Sequence, residues 1–478
     1  MTRLSDATLK NVIVPKPDYD RAAVTDGIVH IGVGGFHRAH QAVYLDDLLG
    51  QGKAREWGIC GVGLLPQDAK MRDALAPQDG LYTVVARDAE GDQARIIGSL
   101  TRYLLAPDDP ERVLAALAAP TTRLVTLTIT EGGYDIDDPD RPAVAFQYLA
   151  DALDRRRRAG TGPVTMLSCD NVEGNGRVAR QALLAFAGRR DPALADWIAA
   201  HVTFPSCMVD RITPQTTDAD RALVRDEFGV DDAWAVVCEP FRQWVIEDEF
   251  CSGRPPLEDA GAQMTGDVRP YELIKLRLLN AGHSTLGYLG WLAGFRYINE
   301  VASDPQFQTF LRRLWDEEVT PLLAPVPGLD LDVYKATLLH RFANPRIADQ
   351  VARICLDGSA KVPRFLLPSV REQLQCGHTP HLLTLAVAGW LRYLSGTDEQ
   401  GRPIPIEDPM AATLQERARA GGPDPRPLLS LGNLFGDLAE SPRFVAALQS
   451  ALQHLYSEGT RATLAAYMEG DKSSPAQK

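Results

Sequence analysis

The sequence predicts an α/β chain with a Rossmann-type, doubly wound N-terminal domain over residues 1–270 and a mostly α-helical C-terminal domain over residues 271–478. Three observations carry that expectation. Short β-branched runs alternate with amphipathic ones through the first half, a glycine-rich turn closes the first of those runs, and past about residue 270 long helical patterns replace the strand-like runs. The length of 478 residues agrees with two domains, because single hydrophobic cores stop growing near roughly 250–300 residues.

GIVHIGVGG (27–35) is a strand ending in a tight turn, and FHRAHQAVYLDDLL (36–49) behind it carries apolar residues at helical spacing. WGICGVGLL (57–65), LYTVVAR (81–87), RLVTLTIT (123–130), PVTMLSC (163–169) and WAVVCE (234–239) are further strands, with helices over 110–119 and 177–189 among them. In the second half, helices are expected over 306–323, 381–396 and 442–459. The proline-rich stretches 396–409 and 421–427 are loops, and 471–478 is a frayed tail.

Hydrophobic residues make up 45% and charged residues 24%, the balance of an ordinary soluble protein with a large core. A net charge of −13 opposes attraction to a polyanion, so no nucleic-acid partner is expected. The dense basic run Arg155 to Arg158 lies beside Gly160 and Gly162 and reads as the solvated end of a helix. Seven cysteines, odd in number and never in a C-x-x-C pair, make neither a disulfide framework nor a zinc ribbon. A polar start without an apolar signal region, and the lack of any long apolar run, predict a cytoplasmic protein with no membrane partner, and a monomer is expected.

Lys275, Asn280 and His283 sit inside one apolar run, YELIKLRLLNAGHSTLGYLGWL (271–292). Such groups are costly to bury unless they are paired or used. At roughly 100° per residue, with Lys275 at zero, Glu272 falls near 60°, His283 near 80° and Asn280 near 140°, while Arg277 points away near 200°. Four polar groups therefore share one arc of an expected α-helix. A desolvated lysine suits general-base chemistry near neutrality. A buried Glu272–Lys275 ion pair at the i,i+3 spacing is the competing structural reading.

In GVGGFHRAH, Gly32 and Gly34 match the first two glycines of a dinucleotide fingerprint; the third is missing, because position six is His37. Gly35, Phe36 and His37 complete the candidate cofactor turn, and Arg38 supplies charge for phosphate. The alternative is a plain strand-to-helix turn that needs positive φ. Asp68 is the nearest acid for a ribose 2′-hydroxyl, which would favour NAD over NADP, or it simply opens the next helix. Glu131, at the carboxyl end of a parallel-strand candidate, serves either a proton path or a turn.

These segments resemble the polyol-specific long-chain dehydrogenases and reductases, the mannitol 2-dehydrogenase-like family. The resemblance rests on HIGVGGFHRAHQAVYLDDLL (30–49), TLTITEGGYD (126–135), SCDNVEGNG (168–176), MVDRITP (208–214), KLRLLNAGHSTLGYLG (275–290) and DGSAKVPRFLLPS (357–369), which occur in that order. It implies a Rossmann-type domain, a helical domain, a polyol or ketose substrate and no metal ion. It further implies Lys275 as general base, Asn280 and Asn171 as donors to the reacting oxygen, and His283 as holder of a substrate hydroxyl. Glu272 would pass the proton toward water, and Asp210, Arg353 and Lys361 would meet the sugar.

Members of the family oxidise mannitol, arabinitol or sorbitol, or reduce fructuronate and tagaturonate. TEGGY here, in place of the TEKGY form of the uronate reductases, leans toward neutral polyols, since a lysine there would add a cation for an acid. Mannitol to fructose is the expected reaction, and a catalytically idle nucleotide sensor on the same fold is the rival from another class.

Overall fold

The glycine-terminated run at 27–35 becomes β1 (Asp26–Ile31), and four further runs become β2 (Gly58–Gly63), β3 (Leu100–Leu105), β4 (Leu124–Leu127) and β5 (Thr165–Ser168) in the computed structural model, which describes residues 2–138 and 143–469. These five strands form one sheet in the order β3-β2-β1-β4-β5, with every neighbouring pair parallel. The chain enters this sheet in the middle, steps outward to β3, then returns to the other side of β1. Winding reverses between β1 and β4, the place where open α/β sheets put their ligands.

Both faces of the sheet are covered. Ile28, Ile59, Leu124 and Leu167 join one apolar cluster with Val43 and Leu48, while Val29, Ile31, Val62, Val125, Leu127 and Met166 join another with Val113, Leu149 and Leu183. That division follows the period of two along a strand, and it explains why the strands read as almost unbroken apolar runs. The sequence pattern does not mark β3, an edge strand of mixed character in which Arg102 donates to Asp26 at 2.7 Å.

Two expected strands leave the central sheet. Tyr82–Asp88 pairs antiparallel with Gly91–Ile97 and parallel with Val236–Cys238, which makes a separate three-stranded sheet. A hairpin partner that begins at Gly91, paired with Asp88, competes well with a long crossover, because the short loop costs less entropy to close. A third sheet sets Gln243–Glu247 between Cys207–Asp210 and Gln263–Thr265. The helix expected over 36–49 breaks at His40 (φ −122°, ψ −87°) into α1 (Gly35–Ala39) and α2 (Gln41–Gly50). The basic run is not wholly solvated: Arg156 is buried, and its guanidinium donates to the carbonyls of Ala119 and Gly162 at 2.7–2.9 Å.

The chain divides into two compact units between Arg269 and Pro270. The second is helical. Leu278, Leu286, Phe310, Trp315, Leu385, Trp390 and Leu448 share its core. The helix Ala281–Leu292 packs so closely on His381–Tyr393 that a Cβ at Gly389 would come within 2.7 Å of Leu289 Cδ2. Among the described residues no helix is long and apolar enough to cross a membrane. The tail at 471–478 lies outside the described residues.

Candidate active site

The apolar run is helical from Arg269 to Leu292, but its middle, Lys275–Asn280, is π-helical. This corrects the even 100° spacing expected from the sequence. The i→i+5 pattern sets Lys275 and Asn280 one hydrogen-bonded turn apart, closer around the axis than the roughly 140° of an α-helix. A π turn strands backbone groups, and here the Leu278 carbonyl accepts from the Trp315 indole N–H at 3.1 Å. Gly282 seats that indole: a Cβ there would lie 2.9 Å from Trp315 Cζ2.

On this segment Lys275 is 9% exposed and Glu272 5%. Arg277 is turned away and held by Glu372 at 2.5 and 2.7 Å. Asn280 Nδ2 is buried with no hydrogen-bond partner among the described residues, a costly state for an amide donor. The His283 ring stacks on Phe342 with centroids 4.0 Å apart. Arg353 forms a two-pronged pair with Asp349, Nε to Oδ1 at 2.6 Å, and Lys361 Nζ donates to the Ile354 carbonyl at 3.2 Å. Both cations thus have protein partners and are not merely solvated.

In the first unit the glycine turn follows β1. Gly32 has φ +94°, and a Cβ would collide with the Thr128 carbonyl oxygen at 2.1 Å, so only glycine fits. Its carbonyl accepts from Thr128 Oγ1 at 2.7 Å, and His30 Nε2 meets that hydroxyl at 3.0 Å. Gly34 differs. A Cβ there would meet nothing nearer than 3.8 Å, which leaves an open backbone cradle of the kind a pyrophosphate needs. Gly35 is similarly uncrowded, with Val236 Cγ2 at 3.7 Å from an added Cβ.

Of the residues after the glycines, His37 and Arg38 are taken up by the interior. His37 is buried and stacked on His30 at 3.4 Å, and the half-buried Phe36 stacks on His40 at 5.0 Å. Arg38 is 1% exposed, donates to the Trp234 carbonyl and lies over the Tyr82 ring at 5.2 Å. Its charge is therefore committed inside the protein, which corrects the expectation that it supplies charge for phosphate. Burial pushes the imidazoles of His30 and His40 down to about 3 and that of His37 well down, so all three are neutral near pH 7.

Asp68 sits just past the end of β2, where its Oδ2 accepts from the Leu64 and Leu65 amides at 2.9 Å. Glu131 is exposed at the start of the turn Glu131–Tyr134 beyond β4, and Asn171 is exposed in the loop beyond β5. Because β1, β4 and β5 are parallel neighbours, the glycine turn, Glu131 and Asn171 share one edge of the sheet. Asp210 is buried at the end of the strand Cys207–Asp210.

Three residues that the sequence reading passed over tie this edge together. Asp170 accepts from the Ile129 amide at 3.1 Å, the Thr130 amide at 2.8 Å and the Tyr134 hydroxyl at 2.6 Å. Burial raises its carboxyl above the usual range, against the pull of those bonds. Asn175 is fully buried and joins the Asp170 loop to Cys207. The available signal was that Asp170 and Asn175 bracket Asn171 within nine residues of one motif, SCDNVEGNG.

Fold and site together define a Rossmann-type chain whose switch-point edge carries an open glycine turn, joined to a helical unit with a buried lysine and an unpaired amide donor. Family models described as the mannitol dehydrogenase Rossmann domain and the mannitol dehydrogenase C-terminal domain match residues 26–259 and 267–456, and the chain belongs to that family. It is 50% identical to a mannitol 2-dehydrogenase of Phaeosphaeria nodorum over 481 residues, 96% of this chain and 84% of that protein. Among solved structures it is similar to the Pseudomonas fluorescens mannitol 2-dehydrogenase in ternary complex with NAD and D-mannitol, with a TM-score of 0.88, 44% identity and coverage of 98% of this chain and 100% of that one. It is also similar to a substrate-free D-sorbitol dehydrogenase, with a TM-score of 0.88, 36% identity and coverage of 96% and 100%.

Proposed function

We propose that the protein is an NAD-dependent polyol dehydrogenase that interconverts D-mannitol and D-fructose, with sorbitol and arabinitol as further substrates. The observation that carries this reading is the juxtaposition of buried Lys275 with the unpartnered Nδ2 of Asn280 on one π-distorted turn. The mannitol and NAD bound by the P. fluorescens relative support the choice of substrate and cofactor.

Bound NAD supplies the hydride acceptor. Oxidising a secondary alcohol also requires that its O–H proton leave, and Lys275 Nζ takes that proton as alkoxide character develops. Asn280 Nδ2 and the Asn171 amide donate to the same oxygen, each such donor contributing roughly 2.7–4 kcal/mol. Glu272, one helical turn before Lys275, relays the proton outward. His283, Asp210, Arg353 and Lys361 bind the remaining hydroxyls of the sugar.

The open backbone at Gly34 accommodates the cofactor pyrophosphate, and Gly32 and Gly35 shape its turn. Asp68 uses only Oδ2 for its own turn, so Oδ1 accepts a ribose 2′-hydroxyl and repels a 2′-phosphate. Base and oxyanion donors are all side-chain groups, and the reading calls for no metal. Mixing the protein with NAD and mannitol at alkaline pH should produce reduced-nicotinamide absorbance. Silence with mannitol, sorbitol and arabinitol, or turnover confined to fructuronate or tagaturonate, would overturn the reading.

A further inference from the structure

We propose that Asp170, Tyr134 and Asn175 are positioning residues that fix the Asn171 amide for catalysis, by clamping its loop to the turn beyond β4 and to the strand that ends in Asp210. The inference rests on the proposed role of Asn171 as an oxyanion donor. Asn171 itself is exposed, and an amide on a free loop would lose much of its value to reorientation. Its neighbours prevent that.

On one side, the Asp170 carboxylate takes three donors from the adjoining turn: Oδ1 from the Thr130 amide, and Oδ2 from the Ile129 amide and the Tyr134 hydroxyl. Tyr134 Oη also meets Ser168 Oγ at 2.6 Å, so the phenol bridges the end of β5 to the same carboxylate. Thr130 has φ +65° and ψ 165°, a conformation that a β-branched residue adopts only when its surroundings enforce it. The two amide bonds to Asp170 are that enforcement.

On the other side, Asn175 opens the helix Asn175–Arg190 and uses both amide protons and its carbonyl oxygen. Nδ2 donates to the Asp170 carbonyl at 3.1 Å and the Cys207 carbonyl at 2.8 Å, while Oδ1 accepts from the Cys207 amide at 2.9 Å. Asn171 thus follows a residue held at both its carboxylate and its carbonyl. Glu131, Asn171 and Asp210 hang from one hydrogen-bonded hub.

Tyr134→Phe removes the bridging hydroxyl while keeping the ring against Phe146. It should lower kcat for mannitol by roughly ten- to a hundredfold, raise the primary deuterium isotope effect on kcat, and leave NAD affinity within about twofold. Asn175→Asp, which sets an oxygen against two carbonyls, should do the same. If Asn175→Asp fails to fold, Tyr134→Phe decides alone. Because the hub acts through Asn171, the Asn171→Ala/Tyr134→Phe double variant should be no slower than Asn171→Ala. Multiplied losses in the double variant, or unchanged kcat in Tyr134→Phe while Asn171→Ala is crippled, would overturn the positioning role and leave the proposed function standing. Full kcat in Asn171→Ala would remove both the donor role and the hub's purpose.

Discussion

The glycine turn of the first unit and the lysine helix of the second both place charged and aromatic side chains in apolar surroundings, yet they use them in opposite ways. After Gly34, the side chains of His37 and Arg38 turn inward, and what remains open is bare backbone. Along Lys275–Asn280 the backbone is the part that gives way, into a π turn braced by Trp315, and the side chains are left to act. A buried polar residue is therefore not by itself a sign of chemistry. The informative contrast is between Arg38, whose guanidinium reaches a carbonyl and a ring, and Asn280, whose amide nitrogen reaches nothing among the described residues.

The largest expected effect tests the acting side chain. Lys275→Ala should lower kcat by roughly 10²–10⁴-fold, the contribution of a positioned base, with NAD binding retained by fluorescence titration. A variant that unfolds would instead make the lysine a structural partner of Glu272. Asn280→Ala should cost roughly 10²–10³ in kcat, and a rise in KM with kcat untouched would demote the amide to ordinary substrate binding.

In the other region the backbone should matter most. Gly32→Ala forces a methyl against the Thr128 carbonyl, so NAD affinity should fall and the thermal midpoint should drop. An unchanged dissociation constant for NAD would break the assignment of the turn. Arg38→Met probes the same contrast: it should lower thermal stability through the lost bond to Trp234 while disturbing NAD affinity far less than Gly32→Ala.

At neutral pH the smallest effect concerns the histidines, because their linkage to stability shows only in acid. Burial holds His30 and His40 down to about 3 and His37 well below its usual 6.5, so the unfolded chain binds protons that the folded chain refuses. Their contribution is complete above pH 6.5 and is lost progressively as pH falls below it. Glu318, pushed up to about 7 by burial, acts in the opposite sense, because its folded form holds a proton that the unfolded form releases. NMR titration of the three rings, which separates them from Glu318, is the deciding measurement; an imidazole that protonates between pH 5 and 8 would contradict the buried scaffold.

Much of this was legible in local pattern. Unbroken apolar runs such as IVHI and LVTL marked strands buried on both faces, Gly32 marked a turn that no other residue can make, and the polar groups set in an apolar run marked the lysine helix. Those signals survive in one dimension because each depends on a residue and its near neighbours along the chain. Other features had no such trace. Whether Arg38 met phosphate or the Trp234 carbonyl, nearly two hundred positions away, depended on which surfaces packed together. The same holds for the π turn, which needed Trp315 to satisfy Leu278, and for Asn175, whose worth lies in Cys207. A buried hydrogen-bonding group must find a partner, and which partner it finds is decided only when the chain has closed around it.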